Sequence, residues 1–168
     1  MKTTIKFFAA IIAISAFSFN AYAQNPTATA SATASGTIVT PIAIENVQNL
    51  MFGNIIASAV GGTVTIANDG SRTLNGVAAP SIEGTSQEAQ FKVTGMTGAA
   101  FAVTMPGDGV VALAGPGENM TLTAFTNNST NTITGGEVTF AVGATLNVNA
   151  AQVAGEYSGT FEIAVNYN

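Results

Sequence analysis

The chain has 168 residues with no cysteine, no histidine and no tryptophan, and its four basic residues stand against nine acids. Those absences exclude disulfides, remove the usual ligands of zinc, haem and iron–sulfur sites, and leave no standard nucleophile–base triad. Phosphate recognition needs clustered Lys and Arg, so nucleic acid is not an expected partner.

Residues 1–23 read as a secretory signal: Lys2 and Lys6 precede an apolar run over 7–19, and Ala21-Tyr22-Ala23 forms a small-x-small cleavage site. Removing these 23 residues from 168 leaves 145 starting at Gln24, enough for one domain with its own core. Both signal lysines leave with the signal, so only Arg72 and Lys92 remain against nine acids, a net charge of −7. No other segment is long and apolar enough for a membrane helix, and the expected state is exported, in the periplasm and then at the cell surface, without membrane insertion. Charged residues make up 8% of the chain, against roughly 25% in an ordinary soluble domain. Thr, Asn, Ser, Gly and Ala must therefore build the surface, which suits packing against other copies.

Residues 24–35 repeat Thr, Ala and Ser after Pro26, with no bulky apolar side chain. The stretch is expected to be a flexible arm, and its twelve residues fully extended would reach roughly 40 Å. Residues 36–168 are expected to form one β-sandwich domain, because short β-branched and aromatic runs recur between turn residues and no helical period appears. The predicted strands span 36–44, 62–67, 73–78, 89–94, 100–105, 110–114, 120–126, 137–148 and 156–167. Asn68-Asp69-Gly70 and Gly107-Asp108-Gly109 read as tight turns. Phe91-Lys92-Val93-Thr94 and Phe101-Ala102-Val103-Thr104 repeat a pattern and read as two arms of a hairpin with Phe91, Val93, Phe101 and Val103 inward. Eight or nine strands at this spacing fit a two-sheet antiparallel β-sandwich, with a closed barrel as the alternative.

The strand over 156–167 is the most informative. Tyr157, Phe161, Ile163, Val165 and Tyr167 share one parity, so an extended chain places them on one face that must be covered. Glu162 should point the other way. The remaining acids, such as Glu45, Asp69, Glu83, Asp108 and Glu118, fall at predicted loops or strand edges, where solvated acids sit. The oxygen-rich turns at Asn68, Asp69 and Ser71, and at Asp108, lack the spacing of an EF-hand and read as turns rather than calcium sites. The glycine pairs have no strand-to-helix context for phosphate. Neither catalysis, nor a cofactor, nor a metal is expected.

The segments Leu50-Met51-Phe52-Gly53, Gly62-Thr63-Val64-Thr65, Phe91-Lys92-Val93-Thr94-Gly95, Val142-Gly143-Ala144-Thr145-Leu146 and Gly155-Glu156-Tyr157-Ser158-Gly159-Thr160-Phe161, with Val165-Asn166-Tyr167, resemble a family of exported bacterial proteins, the domain of unknown function 4402 family. That family is in turn similar to subunits of chaperone–usher fimbriae and to spore-coat-U-like proteins. The fimbrial resemblance rests on Gly155, fourteenth from the end, and on penultimate Tyr167. It implies an incomplete immunoglobulin-like sandwich, completed by a strand from the next subunit after release from a periplasmic chaperone and usher. On that reading Gly155, Tyr157, Phe161, Ile163, Val165 and Tyr167 border the acceptor groove. The alanines at 28, 30, 32 and 34 bury little area, so Ile38, Ile42 and Ile44 are the candidate donor residues, unless they form a native strand of a self-complete domain. The expected function is a non-catalytic subunit of a fimbria-like or other cell-surface fibre. The alternative is a self-complete secreted sandwich that binds surface polysaccharide or another extracellular ligand.

Overall fold

The computed structural model describes residues 27–168, so the expected signal segment and the first residues of the arm lie outside the described residues. The chain divides into two units, with the boundary between Thr37 and Ile38. Of the first, the described residues 27–37 are exposed and belong to no strand.

The second unit is all-β, an antiparallel sandwich with no helix among the described residues. Its strands are β1 (Ala43–Gln48), β2 (Met51–Phe52), β3 (Gly62–Ile66), β4 (Arg72–Asn75), β5 (Ser86–Gln87), β6 (Ala89–Thr94), β7 (Phe101–Thr104), β8 (Ala112–Leu113), β9 (Met120–Asn127), β10 (Glu137–Val148) and β11 (Ala164–Tyr167). One curled seven-stranded sheet runs β1-β6-β10-β3-β4, and β9, carrying β8, also pairs with β10. Two short pairs, β11–β7 and β2–β5, complete the fold.

β10 organises everything else. Its twelve residues alternate so that Phe140, Val142, Ala144, Leu146 and Val148 share one buried face, as a period of two dictates. Its first half pairs with β6, while Leu146 lies opposite both Val64 of β3 and Leu122 of β9, so the second half is hydrogen-bonded along both edges. The strand also joins two apolar clusters. Ala144, Leu146 and Val148 pack with Phe52, Val64, Ile66, Met120 and Leu122. Phe140 and Val142 pack with Ala89, Phe91, Val93, Phe101, Ile133 and Ile163. The Phe91 and Phe140 rings stack with centroids 5.9 Å apart. At the junction a Cβ on Gly143 would run into the Ile66 carbonyl, so a side chain there would force the strands apart.

Where β9 follows β10 the register shifts by one residue, opposite Gly143 to Thr145. The extra residue is Ala124, at φ 49°, and its N–H donates to Asp108 Oδ1 over 2.7 Å. A bulge of this kind increases local twist and helps curl the sheet. The outer face carries the neutral polar coat expected from composition: Thr65 and Thr145 hydroxyls lie 2.8 Å apart, and Asn147 Nδ2 donates to the Thr121 carbonyl at 3.1 Å.

Four sequence expectations need correction. The two Phe-x-Val-Thr segments face inward but are not a hairpin, since β6 pairs with β1 and β10 while β7 pairs with β11. The first strand begins at Ala43 and runs to Gln48 instead of covering 36–44, because its ladder is set by β6, with Ala43 opposite Thr94. Eleven strands replace eight or nine, the additions being the brief β2 and β5. The final strand is shorter than 156–167, occupying Ala164–Tyr167.

Candidate functional site

The C-terminal segment keeps its alternation while losing most of its ladder. Phe161, Ile163, Val165 and Tyr167 turn inward, and Glu162 and Asn166 are exposed. Backbone pairing, however, occurs only at its ends. Ser158 exchanges two backbone hydrogen bonds with Ala114, at 2.8 and 3.0 Å, and Ala164 to Tyr167 pair with Thr104 to Phe101. Between them, residues 159–163 make no backbone hydrogen bond among the described residues. A cleft of about 460 Å³ separates this run from residues 104–112.

Each side chain of the segment is fixed by a specific partner. Tyr157 lies against Gly115 and Gly117; its hydroxyl accepts from the Gly117 N–H and donates to the Val153 carbonyl, both at 2.9 Å. Phe161 packs on both apolar clusters, with its ring centroid 5.4 Å from Phe125 and 6.2 Å from Phe91. Val165 sits opposite Val103. The Tyr167 hydroxyl accepts from the Met96 N–H and donates to the Thr40 carbonyl, both at 2.8 Å. Gly95 makes room for that hydroxyl, because any Cβ there would collide with it.

A groove of about 1200 Å³ opens beside this segment. Residues 152–161 form one wall and residues 49–57 the other, while Phe91, Leu113, Met120, Leu122, Leu146 and Val148 form the floor. Among the described residues lining it, Glu156 is the only charged one. The second wall is braced from behind. Met51 and Phe52 pair with Gln87 and Ser86, Ile56 pairs with Ala78, and the largely buried Arg72 guanidinium donates from Nη2 to the Asn54 carbonyl over 2.6 Å. Arg72 Nη1 also lies 3.9 Å from Glu83 Oε2.

The expected site residues therefore separate. Gly155, Tyr157 and Phe161 line the groove. Ile163, Val165 and Tyr167 lie farther along, packed on the second apolar cluster. Ile42 and Ile44 pack on that same cluster, and Ile44 belongs to β1 opposite Val93, whereas Ile38 is fully exposed. The wall at 49–57 was not read as part of the site. Its sequence signal is Leu50-Met51-Phe52-Gly53, which carries family resemblance but too short an alternation to mark a strand. The acidic turns bond to their own backbone: Asp69 Oδ1 accepts from the Ser71 N–H at 2.9 Å, and Asp108 braces the β9 bulge.

The family model described as "Domain of unknown function (DUF4402)" matches residues 42–167, which takes in both walls of the groove and ends at Tyr167. No curated protein and no solved structure matches the chain.

Proposed function

The chain belongs to the DUF4402 family, and we propose that it is a non-catalytic, exported structural subunit of a fimbria-like or other cell-surface fibre that polymerises by strand addition. One observation carries this reading: a groove lined mainly by apolar side chains runs beside residues 159–161, part of a backbone stretch, 159–163, that makes no backbone hydrogen bond among the described residues. Backbone polar groups beside apolar surface are costly to leave unpaired, and an added strand satisfies them while covering the exposed Met51, Ile56 and Val153 on the groove walls. Main-chain hydrogen bonds would supply affinity, and alternate side chains would meet the apolar walls. A periplasmic chaperone and an usher fit the same reading, since an open groove needs a temporary cover before assembly.

Electron microscopy of cells producing the protein, with size analysis of the purified chain, tests it. Fibres or a ladder of multimers are expected. A chain that stays monomeric at every concentration, on cells whose surface looks the same without it, would overturn the proposal.

A further inference from the structure

We infer that Asn75 is a site of spontaneous covalent modification: the Gly76 backbone nitrogen displaces its side-chain amide, and the isoaspartate that results loosens the groove wall at Ile56. This chemistry does not depend on whether the chain forms fibres.

In the step the Gly76 nitrogen attacks Asn75 Cγ, the Cγ–Nδ2 bond breaks, and ammonia leaves with the proton that the Gly76 nitrogen gives up. The five-membered succinimide then takes up water. Cleavage of the ring nitrogen from Cγ yields aspartate. Cleavage from the main-chain carbonyl carbon yields isoaspartate, whose backbone runs through Cβ and Cγ and is one atom longer. Water is the only co-reactant.

The step needs an unhindered following residue, a free backbone nitrogen and a free side-chain amide, and residues 75–76 meet all three. They form the one Asn-Gly pair of the chain, so no side chain crowds the attack. The Gly76 N–H donates to no backbone acceptor among the described residues. Asn75 closes β4, the outer strand of its sheet, with its side chain exposed, and β4 pairs with β3 alone. The end of an edge strand opens locally at the low end of the stability range. The two Asp-Gly pairs, which can cyclise by the same route, make the contrast. The Gly70 N–H donates to the Ala67 carbonyl at 3.0 Å and the Gly109 N–H to the Leu122 carbonyl at 2.8 Å. Their carboxyl neighbours are held as well, Asp69 by the Ser71 N–H and Asp108 by the Ala124 N–H. Nucleophile and electrophile are tied down at both of those turns and free at 75–76.

A longer backbone here has no slack to occupy. A Cβ on Gly62 would collide with the Asn75 carbonyl and lie 2.7 Å from the Gly76 carbonyl carbon, so the two segments already touch. Two residues after Gly76, Ala78 exchanges both backbone hydrogen bonds with Ile56, at 2.8 and 3.2 Å, and Ile56 lines the groove. An extra backbone atom between β4 and Ala78 shifts that register and frees the wall from its brace. A plain aspartate adds only a negative charge and leaves the register intact.

The folded mature chain, incubated at mildly alkaline pH, provides the test. Trypsin cuts after Arg72 and Lys92, and the peptide 73–92 holds Asn75 as its only asparagine. Its mass should rise by the exchange of NH2 for OH at least tenfold faster than any asparagine elsewhere converts, and isoaspartate-specific methylation should label the product. Asn75→Gln, which would need a six-membered ring, should abolish the gain. No gain in this peptide, a rate equal to that of the other asparagines, or conversion only in denaturant overturns the site. For the wall, the converted protein is separated by its added charge and its hydrogen exchange is compared with that of Asn75→Asp. The Ile56 and Ala78 amides should exchange at least tenfold faster in the isoaspartate form and at the parent rate in Asn75→Asp. Equal protection in the converted and parent proteins overturns the loosening of the wall.

Discussion

β10 and the C-terminal segment are the two longest alternating runs in the domain, and they end up in opposite conditions. Both turn large apolar side chains inward and polar ones outward. β10 is paired along its whole length and on both edges over its second half. The C-terminal run is paired at its two ends and, among the described residues, bare between. A period of two dictates which face is buried and is silent about whether the edges find partners.

Hydrogen exchange gives the widest contrast. Amides of Ala144 and Leu146 should exchange only through global opening, whereas those of 159–163 should exchange at least about a thousandfold faster, since native-state protection spans the full range from local to global stability. Equal protection would mean that the bare run is paired in solution. In chemical denaturation, Leu146→Ala should cost about 2–5 kcal/mol, because Leu146 is fully buried in the first cluster. Phe161→Ala, half-buried, should cost about 2 kcal/mol or less. If the order reversed, the C-terminal run would be the better anchored of the two.

Tyr167→Phe removes hydrogen bonds to Met96 and Thr40 while keeping the ring on its cluster, and should lower stability by about 1–2 kcal/mol. Its effect tests how firmly the paired end of the segment holds the chain near the arm. Ala124→Gly relieves a non-glycine residue at positive φ in the bulge beside β10 and should raise stability by roughly 0.5–1 kcal/mol. A loss there would show that the bulge depends on the alanine side chain.

The smallest effect concerns pH. Hydrogen bonds from the Ser71 side chain and then its backbone N–H hold the Asp69 carboxyl below its ordinary value of 3.8. A folded-state pKa below the unfolded one means that the unfolded state binds the proton more readily as pH falls. The stabilisation is therefore present above 3.8 and is lost as pH drops through the folded value. A thermal midpoint measured down an acid series should fall less steeply for Asp69→Asn than for the parent; identical slopes would show the turn makes no contribution.

Much of the sandwich was legible along the chain. The strands at 89–94 and 137–148 coincide with β6 and β10, because each combines β-branched and aromatic residues with turn signals at its ends. Local patterns failed where partners decide. The Phe91 and Phe101 segments look like neighbours in sequence, yet each is claimed by a strand from elsewhere. Ile38, Ile42 and Ile44 share one parity and read as one strand, but Pro41 interrupts them and only the latter two reach the core. The groove was half visible: Gly155, Tyr157 and Phe161 were marked by their alternating segment, and the wall at 49–57 was not, because its position depends on bonds to residues 72–87.

By itself, the sequence determined an all-β chain, an uncharged polar coat and the inward side of nearly every long strand, since these follow from composition and a two-residue period. Only the tertiary structure decided that Ile42 and Ile44 cover their own domain, that 159–163 finds no backbone partner among the described residues, and that a groove lies beside it. Those outcomes depend on which distant segments reach one another, and backbone hydrogen bonding, being common to all residues, leaves no trace of that choice in the sequence.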